Sequence, residues 1–162
     1  MKEKILFVCV NNACHSQMAE GWARYLSGGD RFEFFSAGLE RHELDVYAVK
    51  VMAEAGVDIS SHTPKSLYAM RRLPFDLVIT MAEQGIDASR FFSGATPVLH
   101  CELDDPRKLG LVAGNEAEVI DLYRRVRDEI GRFVGDILGE AHVPTRRQTG
   151  GLVLAYQSAG VP

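Results

Sequence analysis

Apolar residues occur along this chain in two alternating patterns, short continuous runs and stretches with helical spacing. The continuous runs predict strands buried on both faces at residues 5–10, 32–35, 75–81 and 96–99. Helical spacing predicts helices over residues 18–26 and 45–55, and a long helix after Asn115 as far as about Leu138. Strands and helices therefore alternate along most of the chain.

Weaker signals fill the remaining segments. Thr63-Pro64 has the form of a helix N-cap followed by a first-turn proline, which predicts a helix through about Arg72. Residues 86–92 predict a short helix. Asp104-Asp105-Pro106 is expected to open a loop that continues to Asn115.

Alternating strands and helices predict an α/β three-layer sandwich, a four-stranded parallel sheet with helices on both faces. Residues 1–140 are expected to form this single domain. Residues 141–162 differ in composition, with two arginines, no acidic residue and Gly150-Gly151. We expect them to be a C-terminal tail, loosely docked or involved in subunit contacts, whose apolar residues 152–156 could pair with a sheet edge and support an oligomer.

Composition narrows the class of protein. With 162 residues, 46% hydrophobic and 25% charged, the chain suits one globular domain rather than a disordered or disulfide-stapled protein. Its net charge of −4 gives no reason to expect nucleic acid or a membrane as partner. No apolar run approaches the roughly 18 residues of a membrane span, and no secretory pattern is visible, so we expect a cytoplasmic protein. Three cysteines, in a reducing compartment, are catalytic, redox-active or simply core residues.

The turn from Cys9 to Ser16, between the first strand and the first helix, is the main candidate site. In open α/β sheets, ligands bind at the carboxyl ends of the strands. Asn11 and Asn12 tolerate left-handed backbone, so the turn can direct its N–H groups towards an anion at the helix N-terminus. That field would favour a Cys9 thiolate. Alternatively, Cys9 is a buried core cysteine without a chemical role, and Asn11-Asn12 is an ordinary turn.

The residues CVNNACHSQMAEGW, which begin at Cys9, resemble the phosphate-binding loop and first helix of the low-molecular-weight protein tyrosine phosphatase superfamily. The resemblance is closest to the thioredoxin-coupled arsenate reductases. Similar motifs continue in order over about residues 4–138, among them Ser36-Ala37-Gly38 and Asp104-Asp105-Pro106. The resemblance implies the low-molecular-weight phosphatase fold.

The resemblance also implies residue roles. Cys9 matches the nucleophile, Ser16 the hydroxyl that supports its thiolate, and Asp105 the general acid; on its own, Asp-Pro is equally typical of a solvated turn. Asn12 matches the asparagine that holds the left-handed turn. The loop expected to bind the anion comprises Val10, Asn11, Asn12, Ala13, Cys14 and His15.

Three departures from the family pattern stand out. His15 occupies the place of the loop arginine, whose planar fork would clamp an oxyanion, and Asn11 occupies the place of a loop glycine. The two further cysteines of the arsenate reductase relay are absent, since those places read Met81-Ala82-Glu83 and Ala88-Ser89-Arg90. We expect His15 at the mouth of the anion site, with affinity rising below its pKa. A surface cation could replace the missing guanidinium, the candidates being Arg41, Lys65, Arg71, Arg72 and Arg90.

Cys14 is the thiol that remains on the loop. A reversible Cys9–Cys14 disulfide would protect or switch off the site, and a plain first-turn helix residue is an equal alternative. Cys101 is expected to be a semi-buried strand residue, or less plausibly a resolving thiol. We see no metal-ligand spacing and expect no metal and no cofactor.

Three hypotheses on function follow. The first is an arsenate reductase-like or phosphotyrosine phosphatase-like enzyme that uses a cysteine thiolate on arsenate or a phosphorylated substrate, with thioredoxin or another thiol reductant as candidate partner. The second is a catalytically weak or inactive oxyanion-binding or sensing protein of the same fold. The third is a redox switch built on Cys9 and Cys14.

Overall fold

A computed structural model describes residues 1–84, 86–88, 90–92 and 94–139, together with the backbone of Val153–Ala155. Its five strands are β1 (Glu3–Cys9), β2 (Phe32–Gly38), β3 (Leu77–Ala82), β4 (Val98–Glu102) and β5 (Val153–Ala155). Its five helices are α1 (His15–Leu26), α2 (Val46–Glu54), α3 (Leu67–Met70), α4 (Pro106–Gly110) and α5 (Glu116–Gly139).

All strands run parallel in the order β2-β1-β3-β4-β5. The four predicted strands are confirmed, and β5 adds a short fifth strand beside β4. Because chain order reverses around β1, this strand lies at the topological switch point, where open α/β sheets bind ligands.

Side chains of β1 alternate between two hydrophobic layers. Ile5 and Phe7 face the larger layer, which α1, α2 and α5 cover, whereas Leu6 and Val8 face a smaller layer with Leu67 of α3. The predicted three-layer arrangement with helices on both faces is therefore confirmed. In the described part of the chain, no helix is long and apolar enough to cross a membrane.

The helix predicted from Thr63 is wrong for its first half. Ser66 is the actual N-cap, and its side chain accepts from the backbone N–H of Tyr68. The backbone before it is taken up elsewhere, since Lys65 N–H donates to the side chain of Asn12 and the Lys65 carbonyl accepts from Gly38 N–H. Tertiary hydrogen bonds override the Thr-Pro helix signal here.

Two other predictions need correction. The loop expected after Pro106 begins with α4, because Asp105 caps it and proline occupies its first turn. Among the described residues of 86–92 there is no helix, only a turn in which Phe91 N–H donates to Ala88.

The predicted tail, residues 141–162, lies outside the described residues except for the β5 backbone. β5 pairs with β4 of the same chain, in the register Val98 opposite Val153.

Candidate active site at the carboxyl end of β1

The last residue of β1 is Cys9, and the loop after it leads directly into α1. β2 pairs with β1 over its whole length, with Cys9 opposite Gly38, and β3 pairs with residues 5–8, so Cys9 is held at the carboxyl edge of the sheet. Asn12 has φ of 50°, the only positive φ among the non-glycine residues that the structure describes. This left-handed residue turns the chain back over Cys9, as the sequence predicts for an asparagine. Within the described residues, no side chain caps α1, which leaves its first-turn N–H groups able to bind an anion.

Three hydrogen bonds form a chain that ends on the sulfur of Cys9. The backbone N–H of Lys65 donates to Asn12 Oδ1 (2.7 Å), which orients the amide so that Nδ2 donates to Ser16 Oγ (2.8 Å). Ser16 Oγ lies 2.8 Å from Cys9 Sγ, and either atom can be the donor of this hydrogen bond. The Asn12 backbone N–H donates to Sγ at 3.2 Å. With Ser16 as the donor, two donors converge on one sulfur, as a cysteine nucleophile requires.

Gln17 fixes Asn12, the middle residue of this hydrogen-bond chain. Its Nε2 donates to the side-chain and backbone oxygens of Asn12, at 3.0 and 3.1 Å. Its Oε1 can only accept, so His62 Nδ1, 2.9 Å away, carries a proton. Burial lowers the pKa of His62. The oxygens of Asn12, the left-handed residue of the turn, are thus held by Gln17 as well as by Lys65.

The loop opens onto a cleft of about 880 Å³. Cys9, Val10, Asn11, Cys14 and His15 line this cleft, whereas Asn12 and Ala13 are buried behind it. The far wall comes from the segment after β4 and includes Asp105, Arg107 and Lys108. The structure therefore brings together Cys9 and Asp105, which are far apart in the sequence.

Asp105 has two contacts in addition to facing the cleft. Its Oδ1 accepts from the backbone N–H of Arg107 at 2.9 Å, as the N-cap of α4. The same oxygen lies 3.7 Å from Arg107 Nε. The carboxyl group is partly exposed, so it can reach a ligand in the cleft.

His15 lines the cleft, but one of its ring nitrogens is already engaged. Nε2 lies 2.8 Å from the carbonyl oxygen of Asp104, which can only accept, so this nitrogen carries the proton. Burial lowers the pKa of His15, and the hydrogen bond to Asp104 acts in the opposite direction. The ring is therefore neutral near pH 7. The expected affinity gain from a charged ring therefore applies only below neutral pH, and the ring also forms a contact between two loops.

The three cysteines have different environments. Burial, followed by the charge of Asp45, raises the pKa of Cys14 well above its usual value, so this neighbour of Cys9 is a neutral thiol. Cys101 lies in β4, where burial raises its pKa to about 12, and it is not among the residues that line the cleft. All three are free. In the described part of the chain, no three His, Cys, Asp or Glu side chains are grouped to hold a metal ion.

The sequence analysis did not predict the roles of two residues at the site, Arg107 and Lys65. Arg107 was not among the candidate cations, of which only Arg90 lines the cleft. Lys65 was considered for its charge, yet its backbone N–H orients Asn12. The position of Arg107 two residues after the predicted acid was the available signal for its place in the site.

Residues 4–149 match the family described as low molecular weight phosphotyrosine protein phosphatase. Among curated proteins, the arsenate reductase of Bacillus subtilis is 41% identical over 133 residues, which are 81% of this chain and 92% of that protein. The arsenate reductase of Halalkalibacterium halodurans is 39% identical over 134 residues, 82% of this chain and 93% of that protein. A solved structure described as an arsenate reductase in the phosphate binding state has a TM-score of 0.68 at 28% identity, and covers 85% of this chain and 97% of its own.

Proposed function

Because the chain belongs to the low molecular weight phosphotyrosine protein phosphatase family, we propose that it is an enzyme of the arsenate reductase or phosphatase type in which Cys9 attacks a tetrahedral oxyanion. The observation that carries this proposal is the hydrogen-bond network from Lys65 through Asn12 and Ser16 to Cys9. Cys9 Sγ accepts from the backbone N–H of Asn12 and lies beside the Ser16 hydroxyl, and a thiolate is the better acceptor for both groups.

With a phosphate monoester, Cys9 and Asp105 carry the bond-making and proton-transfer steps of the proposed reaction. The Cys9 thiolate bonds to phosphorus, the bond from phosphorus to the ester oxygen breaks, and Asp105 gives its proton to that oxygen. Water then attacks phosphorus, Asp105 takes back a proton, and the S–P bond breaks to release phosphate. The N–H groups of the loop and of the first turn of α1 bind the equatorial oxygens.

With arsenate, the product must carry two more electrons than the substrate. The Cys9 thiolate displaces one oxygen, which leaves as water after protonation, and forms an S–As bond. A second thiol attacks Cys9 sulfur, the S–S bond forms, and the electron pair of the S–As bond stays on arsenic, which leaves as arsenite. Because the places of the relay cysteines read Met81-Ala82-Glu83 and Ala88-Ser89-Arg90, with no thiol, we propose Cys14 or an external thiol as the second thiol.

The proposed substrates are therefore small oxyanions or phosphorylated molecules. The disulfide left on the enzyme would be reduced by thioredoxin or another thiol reductant. A nucleophile of this kind works only while reduced, so we propose that the protein acts in the cytoplasm. Whether residues 141–162 mediate subunit contacts is a further proposal.

Cys9→Ser, Ser16→Ala and Asp105→Asn test the assignment. Hydrolysis of aryl phosphates and reduction of arsenate, with thioredoxin or glutathione supplied, should disappear in Cys9→Ser and persist in Cys101→Ala, the matched variant of a buried cysteine outside the cleft. Ser16→Ala should slow alkylation of Cys9 by iodoacetamide near pH 7. Wild-type protein that neither turns over these substrates nor binds phosphate would contradict the proposal.

Asp105→Asn is a clean test of the acid, because asparagine also caps helices well. Turnover should fall by a factor of roughly 10²–10⁴ with phenyl phosphate, whose leaving oxygen needs a proton. With p-nitrophenyl phosphate, whose leaving group is far more acidic, the loss should be much smaller. Asp104→Asn, a change at the exposed neighbouring carboxylate, is the control.

The oxyanion-binding or sensing protein is the alternative, favoured by the neutral His15 in place of a loop cation. Under this alternative, calorimetry should detect binding of phosphate or arsenate to the wild-type protein, and the protein should neither hydrolyse aryl phosphates nor reduce arsenate. Activity that appears only in His15→Arg would support this alternative.

A further inference from the structure

The oxyanion site needs a cation, because its own walls carry negative charge. Asp105, Glu83 and the Cys9 sulfur all line the cleft that a phosphate or arsenate ion would enter. His15 is neutral there, since burial lowers its pKa. Among the described lining residues, the permanently charged cations are Arg90, Arg107 and Lys108.

Arg107 contacts the loop itself. With the Asn11 amide oriented so that its oxygen faces the guanidinium, that oxygen accepts from both Nη atoms of Arg107, Nη1 at 3.1 Å. Only this orientation satisfies both partners, because a guanidinium has no acceptor. The positive charge of Arg107 also acts on Cys14. Burial raises the pKa of Cys14 and is the larger effect, whereas the charge of Arg107 lowers this pKa.

Lys108 is engaged elsewhere. Its ammonium group lies 2.5 Å from Glu83 Oε2, and this carboxylate raises the pKa of Lys108. Lys108 is also a compact point charge, whereas Arg107 presents a planar fork that matches two oxygens of a tetrahedral anion.

We propose that Arg107 supplies the oxyanion clamp of this enzyme, from the segment that carries the acid rather than from the nucleophile loop. The proposal rests on the proposed function. It explains both unusual loop residues at once: Asn11 holds the guanidinium at the mouth of the cleft, and His15, no longer the clamp, ties the loop to Asp104.

This arrangement has a chemical consequence. Arg107 Nε lies 3.7 Å from Asp105 Oδ1; Asp105 is the N-cap of α4, and Arg107 lies in its first turn. An anion that draws the guanidinium inwards therefore also positions the acid, so Arg107 affects both substrate affinity and turnover.

Arg107→Met tests the proposal, because methionine keeps part of the chain length and removes the charge from a side chain that is 38% exposed. Lys108→Met and Arg90→Met are matched controls from the same cleft. Calorimetry with inorganic phosphate should show binding weakened about ten- to hundredfold in Arg107→Met, the loss expected for charged hydrogen bonds, and within about threefold of wild type in both controls. Arg107→Lys should retain part of the affinity.

The possible failures are distinguishable. Phosphate binding that Arg107→Met leaves unchanged would overturn the clamp while upholding the proposed function. An equal loss in either control would also overturn it, because the general positive field would then suffice. If wild type binds no phosphate, and phosphate does not protect Cys9 from iodoacetamide, both proposals fail. Circular dichroism of each variant establishes that the loss is not one of folding.

Discussion

The Nε2 atom of His15 lies 2.8 Å from the carbonyl oxygen of Asp104, which joins the nucleophile loop to the segment that carries the proposed acid. The exposed side chain of Asp104 points the other way, where its Oδ2 accepts from Arg125 Nη2 of α5 at 2.9 Å. The backbone carbonyl of Asp104 is thus the group that connects the two halves of the proposed site through His15.

Removing this contact should affect turnover more than stability. We expect His15→Ala to lower kcat by roughly tenfold to a hundredfold, because a small displacement of Asp105 misaligns it with the substrate. The accompanying loss of stability should be about 1 kcal/mol, the worth of one hydrogen bond. His15→Gln, which can still donate to Asp104, should recover most of the activity. Equal kcat in wild type and His15→Ala would show that the contact does not position the acid.

The buried His15 should also make the protein more sensitive to acid. Its folded-state pKa is lowered, so as pH falls below about 6.5 the unfolded chain takes up a proton that the folded ring does not. Stability contributed by this neutral ring is therefore present above that pH and lost below it.

Urea unfolding between pH 7.5 and pH 5 checks this sign. The stability of wild type should fall more steeply towards pH 5 than that of His15→Gln, by at most about 1.4 kcal/mol per pH unit, the limit for one proton. His62 titrates in the same direction but is present in both proteins, so its effect cancels. Parallel curves would mean that His15 has no such linkage.

Gly38 is required by close packing of the loop against β2. A Cβ at this position would lie 2.6 Å from Asn12 N and 2.8 Å from Asn11 C, and closer still to Glu40 O. All three are backbone atoms, so Gly38→Ala must displace the turn over Cys9. We expect a loss of about 1–3 kcal/mol in stability and a marked fall in Cys9 alkylation by iodoacetamide.

Gly28→Ala is the matched control for this substitution. A Cβ there meets no atom within 4 Å, and the glycine lies outside the site. It should leave alkylation unchanged, and a similar fall in both variants would mean that loop packing is not the cause.

Cys14 is expected to protect the site from oxidation. Hydrogen peroxide should convert Cys9 to the sulfenic acid with release of hydroxide, after which Cys14 attacks, water leaves and a Cys9–Cys14 disulfide forms. Mass spectrometry should find this disulfide in wild type, with activity restored by dithiothreitol. Cys14→Ser should proceed instead to irreversible sulfinic acid, whereas Cys101→Ser should behave as wild type. Full recovery of oxidised Cys14→Ser would argue against this protective reaction.

Local patterns predicted the framework of the site. The apolar run of β1 and the helical spacing of α1 depend on neighbouring residues, so they place Cys9 and Ser16 at the two ends of one turn. The left-handed Asn12 is also a local property of that residue type, and the structure has it at φ of 50°.

Local sequence patterns did not predict the contacts between residues far apart in the chain. The helix predicted from Thr63 fails because Lys65 is hydrogen-bonded to Asn12, 53 residues away. His15 lines the cleft, as expected, but its contact with the Asp104 carbonyl, 89 residues along the chain, was not predicted.

The sequence by itself determined the alternation of strands and helices and the position of the cysteine turn at the end of the first strand, because periodicity and turn preference act over a few residues. The tertiary structure decided which side chains complete the site. Arg107 lies opposite Asn11 only because parallel strands place the segments after β1 and β4 at the same edge of the sheet, and no spacing in the sequence records that proximity.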